Sequence, residues 1–292
     1  MNEIIKNTSR NAAFSPELLH LVPNWLERLN INYKNTRFGK SISLYKKWLN
    51  GECEPNFDEL WGISELMDLF ELYNSFHETK ELETLFIKEI TKGTDFLFDE
   101  KKSRARDLFF EAKVASRFKR AGYKIIPDKS HDLVVSKGEC IFQIECKRPR
   151  NRKSLIDNLE YAYKRQLNKL PDRKAQGMIF IDLSRILYDK FPPALSQREC
   201  KLPIATEESI TEYRDDLDES NKRYIQKKAP EIAFGVKMIA TNYRFPFLIE
   251  SQEYEGHYKF SRFDHFTMMS SLPDRENENI LSAFRGSVGK QL

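Results

Sequence analysis

Within the segment from Ile141 to Lys147, hydrophobic and polar residues alternate strictly from Phe142 onward, the pattern of a β-strand with one buried face. Successive side chains of a strand point to opposite sides. One face carries the apolar side chains of Phe142, Ile144 and Cys146. The other face carries an amide, a carboxylate and an ammonium from Gln143, Glu145 and Lys147. This polar face is either ordinary solvated surface or, facing a cleft, a place to hold a cation and position a water molecule.

The segments around this strand predict the order helix, three strands, helix, strand. A helix over 103–120 ends at Gly122, and a turn containing Gly138 joins the second and third strands. The three strands are predicted over 123–126, 133–136 and 140–147. Ser154 starts a second helix that runs to about residue 170, and the almost continuously apolar 177–183 is typical of a strand buried on both faces.

The flanking segments predict a helical N-terminal domain (residues 1–98) that interacts with partners or contacts DNA, and a second domain (residues 99–292). N-terminal helices are predicted from residue 15, over 57–76 and over 78–92. The C-terminal pattern predicts a loop at 190–206, a helix from 206, strands over 231–240 and 245–250, and a short helix at 280–284 in a polar tail.

The stretch from Ser43 to Pro55 resembles the end of a helix-turn-helix unit of the phage-repressor type. In that unit the recognition helix closes with Asn-Gly, here Asn50-Gly51, and a proline follows. A helix that simply ends at a glycine cap explains the same residues, and short matches of this kind are common by chance. A third interpretation makes the helical segment a partner-binding or dimerisation domain.

Composition narrows the classes of function. The chain has 292 residues, 40% of them hydrophobic and 32% charged, which is typical of a globular protein. The sequence has neither an apolar run of transmembrane length nor the apolar stretch of a signal peptide, so we expect a cytoplasmic protein without membrane contact. The net charge of +4 is mild, so any nucleic-acid contact must be a local basic patch.

Several common sites are excluded by the sequence. The four cysteines are scattered without a CxxC pair, which argues against a zinc ribbon or a disulfide framework, and Cys146 falls in an apolar set. The sequence contains no GxxxxGK[ST], GxGxxG, HExxH or GxSxG motif, so the commonest nucleotide-binding, zinc-protease and serine-hydrolase interpretations do not apply.

The Glu-x-Lys spacing of Glu145 and Lys147 occurs five times in the chain, but only this copy lies in an alternating strand after a hairpin. Asp132 heads the preceding strand, so the hairpin should bring it close to Glu145 and Lys147. Converging carboxylates at an interior position imply a cation between them, and oxygen ligands without His or Cys favour Mg²⁺ or Mn²⁺.

Two further polar residues interrupt apolar helical stripes. Glu111 lies on the face of Leu108, Ala115 and Phe118, and such exceptions concentrate at functional sites. A glutamate at the edge of the stripe that reaches solvent or pairs with a cation is the alternative. Gln166 faces inward from the next helix, where it could bind a phosphate or serve as a satisfied core amide.

A basic stretch follows the central strand. Five of the seven residues from Lys147 to Lys153 are basic, and those beyond Lys147 are Arg148, Arg150, Arg152 and Lys153. Charge runs are usually solvated loops. At the mouth of an anionic metal site, however, such a stretch would clamp the phosphates of a nucleic acid.

Taken together, Glu111, Asp132, the run Gln143-Ile144-Glu145-Cys146-Lys147 and Gln166 resemble the PD-(D/E)xK nuclease superfamily. The resemblance covers roughly residues 99–185 and implies the α/β restriction-endonuclease-like fold, with an α-β-β-β-α-β core whose mixed sheet is flanked by helices. Asp132 and Glu145 match the family's metal-binding acids, Lys147 its catalytic lysine and Glu111 its helical glutamate. His131 precedes Asp132 where many members have proline, and Pro127-Asp128 offers an alternative first acid; we favour Asp132 because it starts the strand.

The resemblance implies an Mg²⁺- or Mn²⁺-dependent nuclease. DNA is the expected substrate and RNA a further candidate. Endonuclease action is expected, with exonuclease action as the alternative, and such enzymes often act as homodimers. Glu111, Asp132 and Glu145 would hold the metal, and Lys147 would orient the attacking water. The rival hypothesis is a catalytically idle module of the same fold that binds or senses nucleic acid.

Overall fold

The computed structural model describes residues 4–79, 84–93, 104–126, 128, 131–167, 175–188, 220, 223–228, 232, 236–250 and 258–285. Within these ranges, a mixed sheet of seven strands forms the centre and helices cover both of its faces. The predicted α/β class with a helix-flanked mixed sheet is therefore confirmed. The predicted boundary near residue 98 and the 190–206 loop lie outside the described residues, as does most of the segment predicted to be helical from 206.

The strands run β1-β7-β6-β5-β4-β3-β2 across the sheet. They are β1 (Ile4–Ala13), β2 (Lys124–Ile126), β3 (Leu133–Lys137), β4 (Cys140–Lys147), β5 (Ala175–Asp182), β6 (Met238–Glu250) and β7 (Tyr258–Ser270). β2, β3 and β4 pair antiparallel, β4, β5 and β6 pair parallel, and β7 pairs antiparallel with both β6 and β1. The parallel pairs place the ends of β4 and β5 at the same edge of the sheet.

The helices are α1 (Leu18–Arg28), α2 (Arg37–Leu49), α3 (Phe57–Phe76), α4 (Thr84–Ile90), α5 (Arg104–Arg120), α6 (Arg152–Tyr161), α7 (Ser184–Tyr188) and α8 (Asp274–Arg285). α3 begins with a capping box, in which Asn56 and Glu59 each bond the other's backbone N–H. α5 ends before Gly122, whose φ of 82° is the left-handed conformation that glycine adopts at least cost.

The predicted order helix, three strands, helix, strand is observed in α5, β2, β3, β4, α6 and β5. Gly138 has a φ of 59° in the β3–β4 turn, as the hairpin prediction requires. The start of α6 differs from the prediction. Asn151, not Ser154, is the N-cap, and the two residues form a capping box. A π-helical turn, Ala162–Gln166, then replaces the predicted continuous α-helix.

The C-terminal predictions need correction. β6 is one strand from Met238 to Glu250, whereas two strands over 231–240 and 245–250 were predicted. β7 was not predicted, and the tail helix extends over Asp274–Arg285 instead of 280–284. β1 likewise lies in a segment predicted to be purely helical. The hydropathy pattern does not predict these strands in full because they contain charged residues. Arg244, Arg262 and Asp264 are nevertheless buried, since they form ion pairs inside the protein.

The sheet divides the core into two hydrophobic clusters. β5 alternates between them: Met178 and Phe180 pack in the cluster with α1 to α5, and Ile179 and Ile181 pack in the cluster with α6. All four side chains are buried, which confirms the prediction of a strand buried on both faces. Burying each side chain of this size stabilises the fold by about 1.5–3 kcal/mol.

Buried ion pairs join α3 to α5 and to the sheet. Glu65, Asp68 and Glu71 fall at three-residue spacing on α3 and are at most 4% exposed. The single carboxylate of Asp68 forms ion pairs with three cations: Lys113 Nζ at 2.9 Å, Arg262 Nη1 at 3.0 Å and Arg244 Nη1. The α3 helix of the predicted N-terminal domain is thereby packed against residues of α5, β6 and β7.

Candidate active site

The β3–β4 hairpin brings Asp132 to the end of β4. Leu133 pairs with Ile144, so Asp132 lies one step further, beside Glu145. Its Oδ2 accepts hydrogen bonds from the Cys146 backbone N–H at 2.8 Å and from Lys147 Nζ at 2.9 Å. The predicted convergence of Asp132, Glu145 and Lys147 is therefore present in the structure.

Lys147 joins the two carboxylates. Its Nζ donates to Glu145 Oε2 at 2.8 Å as well as to Asp132, and its side chain is 14% exposed. Glu145 is fully buried, and its second oxygen, Oε1, has no hydrogen-bond partner among the described residues. A buried carboxylate oxygen without a partner is costly unless a cation or a donor reaches it.

The charges of this cluster are strongly coupled. Burial, followed by repulsion from Asp132, raises the pKa of Glu145 to about 7, although Lys147 opposes the shift. Burial alone would lower the pKa of Lys147, but the Asp132 and Glu145 carboxylates outweigh it and raise that pKa above its usual range. The lysine therefore stays an ammonium while the carboxylates compete for it.

Glu111 lies on α5, close enough for the charges of Asp132, Lys147 and Glu145 to act on it. It is half-buried, between the exposed and the core-facing sides of the helix. Burial and the nearby Asp132 charge raise its pKa to about 8, with Asp107 and Glu145 contributing in the same direction. Glu111 thus adds a third carboxylate to a region that holds one ammonium.

The alternative first acid, Asp128, lies elsewhere. Its Oδ1 accepts from the His131 backbone N–H at 3.1 Å, which shapes the connection before β3. Asp132, not Asp128, contacts Lys147. Gln166 ends the π-helical turn after α6, but its side chain lies outside the described residues, so its predicted role stays a prediction.

Part of the basic stretch that follows β4, which was predicted to bind phosphates, already forms hydrogen bonds and ion pairs with other residues of the protein. Arg148 donates from Nε to Asp182 at 3.2 Å and from Nη1 to Asp107 at 3.4 Å, and its side chain is 9% exposed. Arg152 Nη2 donates to Ser220 Oγ at 2.5 Å. Lys153 is exposed, and Arg150 is half-buried with its Nη2 atom lacking a partner in the described part of the chain.

Comparisons of this chain with protein families, with curated proteins and with solved structures find no match. What the cluster can do chemically follows from its side chains. Two carboxylates and an ammonium in contact can hold a hard cation through oxygen atoms and orient a water molecule through the lysine. The raised pKa of Lys147 keeps its ammonium charged, whereas burial raises the pKa of Glu145 to about 7 and so favours the neutral form of that carboxyl.

Within the described residues, no three His, Cys, Asp or Glu side chains are already arranged as a metal-binding group. The contacts of Lys147 explain why the acids are not grouped around a metal position: its ammonium bonds both Asp132 and Glu145 and lies between them. No helix in the described part of the chain is long and apolar enough to cross a bilayer.

Sequence reasoning missed two acids that hold Arg148. Asp182 ends β5, and Asp107 lies one turn before Glu111 on α5. Asp182 Oδ1 also accepts from the Ser184 backbone N–H at 2.9 Å, so it caps α7 while holding Arg148 beside the site. An acid directly after an apolar strand was the available signal, since such positions meet at the sheet edge.

The raised carboxylate pKa values predict a pH-dependent stability without divalent cations. A carboxyl group whose folded-state pKa exceeds its unfolded value of about 4.5 stabilises the fold at low pH, and this stabilisation is lost as the pH rises. We expect the unfolding free energy in EDTA to fall between pH 5 and pH 8, and Glu111→Gln to remove about 1–3 kcal/mol of that fall. Urea unfolding at several pH values measures it; an unchanged slope in Glu111→Gln contradicts the assignment.

Proposed function

We propose that this chain is a metal-dependent nuclease of the PD-(D/E)xK type that hydrolyses phosphodiester bonds, most readily in DNA. The observation that carries the proposal is the shared contact of Lys147 with Asp132 and Glu145 at the end of a hairpin strand. The order α5, β2, β3, β4, α6, β5 around that strand matches the core that the resemblance implies and supports the same conclusion.

The residues fit a divalent cation in their chemistry. Glu145 Oε1 is a buried oxygen without a partner among the described residues, and the charges of Asp132 and Glu145 both raise the pKa of the Glu111 carboxyl nearby. We therefore assign Asp132, Glu145 and Glu111 as the residues that would hold Mg²⁺ or Mn²⁺. When bound, the ion would lower the pKa of a water molecule and stabilise negative charge on the phosphate.

Side chains of the protein would orient the water, neutralise charge and bind the substrate. Lys147, kept charged by its two carboxylate partners, would orient the attacking water and neutralise charge that develops on the phosphate. Asp132 also fixes the end of β4 through the Cys146 N–H. Arg150, Arg152 and Lys153 follow directly and would contact backbone phosphates of DNA, or of RNA if the chain accepts it.

A cleavage assay tests the proposal. Purified protein is incubated with supercoiled plasmid, linear duplex, single-stranded DNA and RNA, each with Mg²⁺, Mn²⁺ or EDTA. We expect cleavage with either cation and none with EDTA, and comparison of circular with linear substrates separates endonuclease from exonuclease action. If no substrate is cut with either cation while the protein is folded, the nuclease proposal fails.

A binding or sensing module of the same fold is the second candidate. The observation that favours it is that no three-ligand group is ready among the described residues. This candidate predicts DNA binding that is unchanged by EDTA and no cleavage. Sedimentation of the protein alone and with DNA would also show whether it acts as a homodimer.

A further inference from the structure

The outward side of α2 forms a basic surface. Four exposed polar residues share this side of the helix: Lys40, Ser43, Lys46 and Lys47. Their spacings of three, four and seven residues are those of neighbours on one side of a helix. We call this surface the α2 lysine face. It presents three ammonium groups and one hydroxyl group to solvent.

The segment that carries the α2 lysine face contains no acid. Between Glu27 and Glu52 the chain has six lysines and arginines and no Asp or Glu, whereas the whole chain has a net charge of only +4. Acids one turn away would neutralise helical lysines, as Glu160 does for Lys164 at 2.9 Å. Glu52, the first acid after the helix, accepts from Asn50 at 2.9 Å. The positive charge of this face is therefore not compensated within its own helix.

The inward side of α2 is packed against the core that carries the candidate active site. Arg37 points inward and donates from Nε to Glu65 at 3.0 Å. Phe38 packs edge-on against Phe109 of α5, with the two ring centroids 5.4 Å apart. α5 is also the helix that carries Glu111. A molecule bound to the α2 lysine face would therefore lie on the same packed body as the candidate active site.

The chemistry of this face suits a nucleic acid better than a bilayer. A helix that binds a bilayer inserts its apolar face, but the apolar face of α2, formed by Phe38, Ile42 and Tyr45, is at most 5% exposed. Leu49 is the single large hydrophobic residue of α2 that is exposed. The 13 residues of α2 span about 20 Å, a length over which duplex DNA carries roughly twelve phosphate charges.

We propose that the α2 lysine face is a docking surface for the phosphate backbone of duplex DNA. The proposal rests on the proposed function for its choice of DNA, and it adds a DNA contact outside the basic stretch that follows β4. It does not depend on the helix-turn-helix resemblance, because phosphate contacts position a protein on DNA without reading the sequence. Each lysine that neutralises a phosphate releases bound counterions, so its contact can be measured through the salt dependence of binding.

Fluorescence anisotropy of a labelled random-sequence duplex, with the full chain in EDTA, tests the surface. Combining Lys46→Gln with Lys47→Gln should weaken binding about tenfold or more at about 100 mM KCl and reduce the salt slope by about 2. Combining Lys46→Arg with Lys47→Arg keeps both charges and should bind as the wild type does. The control combines Lys227→Gln with Lys228→Gln, an adjacent pair of exposed lysines in another helical segment, and should also bind normally. Thermal unfolding should be nearly unchanged in all three, because the replaced side chains are exposed.

Three results overturn the proposal: a wild type that does not bind the duplex, an unchanged salt slope when Lys46 and Lys47 are both glutamine, or an equal loss in the Lys227 and Lys228 control. Loss of binding to single-stranded RNA or to anionic phospholipid vesicles, with duplex binding intact, overturns it as well. Glu145→Gln separates this surface from the nuclease proposal, because it should bind the duplex in EDTA while cutting no DNA. A chain that binds through α2 and never cuts contradicts the nuclease proposal alone, whereas a chain that cuts but binds normally without the two lysines contradicts the docking proposal alone.

Discussion

We expect Lys147→Ala to lower Mg²⁺-dependent DNA cleavage by about 10³-fold or more while the protein stays folded. The reason is geometric, because a single ammonium lies within 3 Å of both carboxylates that would hold the ion. No other lysine of the Glu-x-Lys pattern occupies such a position in the described chain. Initial cleavage rates with saturating Mg²⁺ measure the effect.

A second measurement separates the role of Lys147 from that of Glu145. The ammonium competes with a cation for the same carboxylate oxygens, so its removal should leave Mn²⁺ binding unchanged or tighter. Glu145→Gln, in contrast, removes the buried carboxylate and should weaken both binding and cleavage. Calorimetric Mn²⁺ titration of the two variants distinguishes a water-orienting lysine from a metal ligand.

Lys164→Ala is the matched control, because Lys164 is also a lysine paired with a glutamate, at 2.9 Å, but it is exposed in the π-helical turn after α6. Its cleavage rate should equal that of the wild type. If Lys147→Ala cuts as fast as Lys164→Ala, Lys147 has no part in the reaction, and the binding-module hypothesis gains support.

The elements around this site were predictable because their signals are local. A period of two fixes which face of β4 is polar, and a glycine with positive φ sets the hairpin that carries Asp132 back to it. Both facts are contained within about twenty residues of sequence. The acid on α5 was also visible, since Glu111 interrupts an apolar stripe at helical spacing.

The pairing of β1 with β7 and the burial of polar residues in β7 depend on residues that are far apart in the chain. β1 pairs with β7 across more than 240 residues, and nothing near Ile4–Ala13 specifies that partner. The polar sequence of β7 does not indicate a buried strand. Its charged residues can be buried because Arg262 forms ion pairs with Asp264 and with Asp68 of α3. The sequence does carry one signal of these buried ion pairs: Glu65, Asp68 and Glu71 share a face of a helix that is otherwise strongly apolar.

That face of α3 gives the largest expected effect on stability. Asp68 is fully buried and is bound to Lys113, Arg244 and Arg262 from three different elements. Asp68→Asn keeps the volume of the side chain but removes the negative charge that these cations share. Because it leaves buried cations uncompensated, we expect the unfolding free energy to fall by about 3–5 kcal/mol.

Urea unfolding at pH 7 measures this loss, with Asp157→Asn on the exposed side of α6 as a control that should change stability by less than about 0.5 kcal/mol. Adding Lys113→Met to Asp68→Asn should restore part of the stability, since it removes one of the stranded cations. A wild-type urea midpoint for Asp68→Asn would show that the other acids, Glu65 and Glu71, neutralise the cluster without it. The double variant shows whether the loss of Asp68 leaves Lys113 uncompensated. If it does, the double variant loses less stability than the sum of the two single losses, whereas two independent sites give additive losses.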